Sequence, residues 1–366
     1  MKASLFCNCR YTAPAPEGTW PVPADGYSSE AAQQTLQRAL DQAKLADETG
    51  FDWVAVAEHH FAPFSITPNP MVMAGALTQV VKRAKIALLG PDVPILNPVR
   101  VAEEFAMLDT MSGGRVIAGM MRGTPNEYVT YNVNPNESRD RFMEALHLIR
   151  MAWTEQQPFG WQGRYYQYRS VSIWPRPVQK PHPPIYMSGS TPESGQFAAE
   201  NRFGLGFAVT TVPAAKKAAD YWRAQAIAFG WQPMPDDLIY RLGFHVADTD
   251  EQAFDDLKAM AGRRPLANIS LMNRAVADAV ADSSYFGAKQ HMEHERRATA
   301  YDLKERIALG QVIVGGPDTV LSQIERIKAE LDPGILDLTV IAQLGDKTMR
   351  SIELMGTKVL PRMHEL

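Results

Sequence analysis

Short, wholly apolar runs alternate along this chain with longer segments whose apolar residues recur every three or four positions. Trp53-Val54-Ala55-Val56 is apolar throughout, as a parallel strand covered on both faces must be. The segment before it places Leu36, Ala39, Leu40, Ala43 and Ala46 on one stripe of a helix, which Ser28 or Ser29 can cap and Gly50 can close. The same rhythm predicts further strands over residues 2–8, 85–89, 116–119, 184–187, 205–209, 238–247 and 336–344. Helices are predicted over 69–82, 99–111, 137–153, 213–229, 317–331 and 351–363, and aromatic alternation over 159–173 reads as a surface hairpin. Eight strands alternating with helices place the chain in the α/β class and favour a closed (β/α)8 TIM barrel over an open sheet. The rhythm lapses over about 263–310, where an insertion is expected between strands seven and eight of a single domain spanning 1–366.

Composition narrows this picture. With 366 residues, 45% hydrophobic and 21% charged, the chain can fill a barrel of roughly 250 residues and still carry insertions. A net charge of -4 and a pI near 6.1 give no basic footprint for nucleic acid. No apolar run approaches the roughly 18 residues of a membrane span, and no secretory pattern is seen at the start, so a cytoplasmic protein is expected. Cys7 and Cys9 are too close on one strand to bridge without strain and read as buried thiols.

Candidate chemistry begins where the second strand ends, at Glu58-His59-His60-Phe61. Barrels place reactive groups beyond the carboxyl ends of their strands. On extended backbone Glu58 and His60 share one side and His59 faces the other, a poor arrangement for a metal cage, and no HExxH or CxxC occurs. One histidine can therefore act as a general base oriented by its neighbours; the same residues could equally cap a strand. Arg122 repeats the placement after the fourth strand. After the fifth, Ser188-Gly189-Ser190-Thr191-Pro192-Glu193-Ser194 leads into a helix whose open N–H groups suit a phosphate, or serve ordinary capping. Gly204-Leu205-Gly206 precedes a strand and is no dinucleotide fingerprint, and neither GxSxG nor GxxxxGK is present.

Taken together, Gly50-Phe51-Asp52 through Phe61, Asn97-Pro98-Val99-Arg100 through Asp109, Ser112-Gly113-Gly114-Arg115 with Arg122-Gly123, Ser188 to Ser194, and Gly315-Gly316-Pro317-Asp318 resemble the bacterial luciferase-like family of flavin-dependent monooxygenases and oxidoreductases. The resemblance implies a TIM barrel with an insertion after strand seven. It further implies reduced FMN supplied by a separate NAD(P)H-dependent flavin reductase, dioxygen adding at the flavin C4a, a small organic substrate and a homodimer. By position His59 matches the catalytic histidine, with Glu58 and His60 beside it. Arg122, Ser138, Arg139, Gly189, Ser190, Thr191 and Ser194 match contacts to the flavin and its phosphate. A cis peptide is implied near Leu89-Gly90, beneath the flavin ring. Phe61, Phe64 and Tyr128, with the Pro-rich loop 12–24, are expected to shape the substrate pocket. Met121 stands where some relatives carry a reactive cysteine. Two other readings stay open: a deazaflavin (F420)-dependent hydride-transfer enzyme, and a non-catalytic flavin-binding subunit.

Overall fold

The computed structural model describes residues 1–16, 20–258 and 301–366. Its strands are β1 (Lys2–Phe6), β2 (Trp53–Val56), β3 (Lys85–Asp92), β4 (Val116–Met121), β5 (Phe159–Gln162), β6 (Gln167–Val171), β7 (Ile185–Ser188), β8 (Gly204–Phe207), β9 (Leu238–Val246), β10 (Val312–Gly315) and β11 (Ile335–Val340). The helices that position the site are α1 (Ser29–Thr49), α2 (Pro70–Val80), α3 (Pro98–Ser112), α4 (Pro125–Thr130), α5 (Ser138–Thr154) and α6 (Pro192–Asn201). Eight parallel strands close a ring in the order β11-β1-β2-β3-β4-β7-β8-β9, with β9 pairing β11 to complete it. This is the (β/α)8 barrel that the strand count predicts.

Alternation along each strand decides what faces where. Ala3 and Leu5 of β1 point outward and join the layer of helices. Phe6 points inward, where it packs with Trp53, Ala55, Ala87, Leu89, Ile117, Tyr186, Ile239 and Ile335 from the other staves. Trp53 and Tyr186 meet edge to face inside the ring, with centroids 5.7 Å apart. The predicted hairpin forms as β5 and β6, an antiparallel pair outside the barrel.

The elements differ from expectation in several places. Strand β3 continues through Gly90 and Pro91 to Asp92, which reaches Met121 by a register shift after Leu89. The last helical stretch begins at Asp346 rather than 351. β10 was not anticipated; it pairs only with the upper half of β9, from Gly243 to Val246. Most of the expected insertion at about 263–310 lies outside the described residues; its described tail forms the helix Leu303–Ala308.

The α1 end is fastened to the β3 entrance by Asp47, whose carboxylate accepts from the backbone N–H of Lys82, Arg83 and Ala84 at 2.8, 3.0 and 2.6 Å. Burial alone would raise its pKa, but these donors and the Arg83 guanidinium together hold it below the usual carboxylate value. A lowered folded pKa contributes stability that is complete above the unfolded value of about 4 and is lost as pH falls through the folded one. Asp47→Ala is thus expected to cost about 2 kcal/mol at pH 7, by stranding backbone donors. In urea melts across pH, the deficit should shrink below about pH 4.

Candidate active site

Strands β2, β3, β4 and β7 are consecutive staves, so their carboxyl ends stand side by side. The Glu58 backbone N–H donates to Gly90 O at 2.9 Å, and Glu58 Oε2 accepts from the Asp92 N–H at 3.1 Å. Glu58 Oε1 lies 2.9 Å from His60 Nε2, and the other ring nitrogen of His60 lies 3.5 Å from the Tyr131 hydroxyl. Glu58 and His60 are 4% and 3% exposed. These polar atoms clamp the β2 exit to the β3 exit.

His59 faces the other way, as extended backbone requires, and its side chain is 29% exposed. Its ring leans on Phe64 with centroids 4.6 Å apart, and its Nδ1 lies 3.8 Å from Glu127 Oε1. Among the described residues, Nε2 has no hydrogen-bond partner. Glu127 is 1% exposed and heads the short helix α4 in a capping box with Thr124, whose N–H donates to it at 2.9 Å; the Asn126 amide donates at 2.8 Å. Burial pushes the Glu127 pKa up, but His59 and Thr124 outweigh it and leave it below the usual value. Asp92 takes the opposite course: burial, then the charges of Glu127 and Glu58, raise its pKa well above the carboxylate range. A carboxyl with a lowered pKa thus stands beside a partly exposed imidazole, and one with a raised pKa lies behind it.

Reading the sequence missed Glu127 and Asp92. The Thr124-x-x-Glu127 spacing is a capping-box signal that marks the first. Asp92 follows Pro91, where a strand is expected to have ended, so no periodicity marks it.

The other expected residues fall into two groups. Arg139, in the first turn of α5, reaches the first turn of α6, with Nη1 3.6 Å from Glu193 Oε2. Thr191 caps α6, its Oγ1 accepting from the Ser194 N–H at 3.4 Å and donating to Ser194 Oγ at 3.2 Å. Gly189 packs so closely that a β carbon there would lie 2.7 Å from Ser194 Cβ. Ser190 is exposed in the same loop, and the β4–β7 pairing sets this loop beside Arg122, which is half-buried at the β4 exit. Phe61 is 53% exposed near Trp20, with ring centroids 6.4 Å apart.

Three further expectations are corrected. Tyr128 lines no pocket: it is fully buried, and its hydroxyl donates to the carbonyl of Arg122, bracing the β4 exit. Ser138 is 1% exposed and its hydroxyl donates to Pro135 O at 2.9 Å, leaving it closed to a phosphate. The cis bond implied at Leu89-Gly90 is absent, and Gly90-Pro91 is trans too; the described cis bonds are Trp20-Pro21, Trp174-Pro175 and Lys180-Pro181. Gly90 lies within the register shift between Leu89 and Asp92, where a β carbon would collide with Met121 Cγ at 2.1 Å. Among the described residues no cluster suits a metal ion, and no helix is long and apolar enough to cross a membrane.

A family model described as luciferase-like monooxygenase matches residues 18–332. The oxygenase component of flavin-dependent trigonelline monooxygenase from Acinetobacter baylyi is 26% identical over 232 residues, 60% of this chain and 63% of that protein. The chain spans about half the length of several other curated relatives that it matches. An F420-dependent glucose-6-phosphate dehydrogenase from Nakamurella multipartita is 27% identical over 354 residues, 93% of this chain and 96% of that protein. Among solved structures, the oxygenating constituent of 3,6-diketocamphane monooxygenase from Pseudomonas putida, in complex with FMN, superposes with a TM-score of 0.77 at 20% identity, covering 99% of this chain and 98% of that one.

Proposed function

The chain belongs to the luciferase-like monooxygenase family, and from that premise we propose that it oxygenates a small organic substrate with dioxygen and reduced FMN delivered by a separate NAD(P)H-dependent flavin reductase. The observation that carries the reading is His59: a partly exposed imidazole at a barrel mouth, beside a buried carboxylate, three staves from the hydroxyl-rich start of α6. That cradle fits the nucleotide. Backbone N–H groups at the start of α6, the hydroxyls of Ser190, Thr191 and Ser194, and the Arg139 guanidinium would hold its phosphate, with Arg139 exchanging Glu193 for it. Arg122 is assigned to the same nucleotide. When bound, reduced FMN would supply the electrons that activate dioxygen.

Each residue then has a task. Glu127, 3.8 Å from Nδ1 of His59, favours the tautomer with its proton on that nitrogen and leaves Nε2 to take up or return a proton at the reacting centre. Phe64, against the His59 ring, and Phe61 keep water from that centre. The Glu58–His60 clamp keeps the β2 and β3 exits in register beneath it. A homodimer belongs to the same proposal.

The full-length match to an F420-dependent enzyme supports a second reading, hydride transfer with a deazaflavin in this cradle. Anaerobic titrations with reduced FMN and reduced deazaflavin decide between them. Saturable quenching with reduced FMN is expected, weakened about tenfold or more in Arg139→Gln. Saturation by deazaflavin alone selects the second reading, and saturation by neither overturns both.

A further inference from the structure

Below the proposed flavin site, one wall of the barrel lumen is polar. Ser4 of β1 stands opposite Asp337 of β11, and Asp337 opposite Arg241 of β9. All three have the strand parity of Phe6, Ile239 and Ile335, which line the lumen. Arg241 Nε donates to Asp337 Oδ2 at 2.5 Å, and its guanidinium carbon stands 3.5 Å from the centre of the Phe6 ring. Asp337 thus holds one edge of the guanidinium and Phe6 covers one face, which fixes its plane. Among the described residues, the two terminal nitrogens of Arg241 have no hydrogen-bond partner, and its side chain is 19% exposed.

Three further polar atoms in this wall are buried without a partner: Ser4 Oγ, Asp337 Oδ1 and Thr339 Oγ1. Ser4 and Asp337 are fully buried, and Thr339 sits one layer nearer the mouth, opposite Phe6 and Gly243. Buried polar atoms are rarely left unmatched, because each costs free energy unless something polar meets it. Beside them in the lumen, Ala55 and Ala87 are small and Trp53, Tyr186 and Ile239 are largely apolar.

We propose that Arg241, fixed by Asp337 and Phe6, anchors the carboxylate of an organic acid substrate. The end of a guanidinium presents two parallel N–H groups that match the two oxygens of a carboxylate, a fit that a neutral amide lacks. The Ser4 and Thr339 hydroxyls add donors on the same wall. The assignment rests on the oxygenase reading, since it names the substrate class of that same mouth.

Calorimetry on the flavin-free protein tests it with benzoate and cyclohexanecarboxylate, each against its own amide. The acids are expected to bind at least about tenfold more tightly than the amides. In Arg241→Gln/Asp337→Asn, which removes both charges so that neither is stranded, that preference should vanish while the thermal melt shows a folded protein. Should Arg241→Gln alone fail to fold, the double variant still decides. Equal affinity for acid and amide in the unaltered protein, including no measurable binding of either, overturns the proposal, as does a preference that survives in the double variant. Titration of reduced FMN on the same preparation is independent: its failure removes the oxygenase reading and leaves the acid preference measurable.

Discussion

Replacing His59 with alanine is expected to lower kcat by about a hundredfold or more and to leave reduced-FMN binding nearly unchanged. The expectation follows from where the side chain sits: it is the imidazole of the β2 exit that keeps a ring nitrogen without a described partner, whereas His60 has both nitrogens engaged. A positioned proton donor or acceptor contributes about two to four decades in rate, and none of that is ground-state flavin binding. Steady-state turnover with reduced flavin, alongside anaerobic titration of the same variant, separates the two. His60→Ala makes the contrast. It removes a partner of buried Glu58, so its damage should register first as a lower melting temperature.

Gly119→Ala is expected to be the most damaging single methyl group in the barrel wall. A β carbon there would stand 2.4 Å from Leu88 O and 3.0 Å from Leu89 Cα, both backbone atoms of the neighbouring stave β3 that cannot swing aside. Making room means parting β3 from β4, the two strands whose ends carry Gly90, Asp92, Met121 and Arg122. A loss of about 3 kcal/mol or more in urea denaturation is expected, at the upper end of overpacking costs. Gly206, on β8, provides the control. A β carbon there meets nothing closer than 3.9 Å, so Gly206→Ala should stay within about 1 kcal/mol of the unaltered protein. If the two substitutions cost alike, the close packing of β3 on β4 is wrong.

How much of this was legible in the sequence differs by element. Wholly apolar staves such as Trp53–Val56, and striped helices such as Ser29–Thr49, announce themselves because burial on both faces or on one leaves a periodic mark. β10 is an equally short, fully buried run, but it directly follows a segment of lapsed rhythm and so does not stand apart from it. At the site, local geometry was readable. Alternation alone separated His59 from Glu58 and His60, and the Ser-Gly-Ser-Thr-Pro run marked the start of α6. Long-range partnerships were not. Arg241 and Asp337 are 96 positions apart and meet only because their strands pair, and Asp92 lies beyond a proline that reads as a strand end. Tyr128 and Ser138 were misread for a common reason. Both were assigned through the resemblance, which matches positions along the chain but not orientations, and only the fold reveals that the carbonyls of Arg122 and Pro135 already take their hydroxyls.

The most direct test of a single flavin seated between His59 and the start of α6 is a crystal structure of the protein with FMN bound. The phosphate is expected against Arg139, Thr191 and Ser194, with the ring system over the Gly90 backbone and within contact of His59. A flavin found away from the carboxyl ends of β2, β3, β4 and β7, or one seated there with His59 turned away from its ring, would contradict that arrangement.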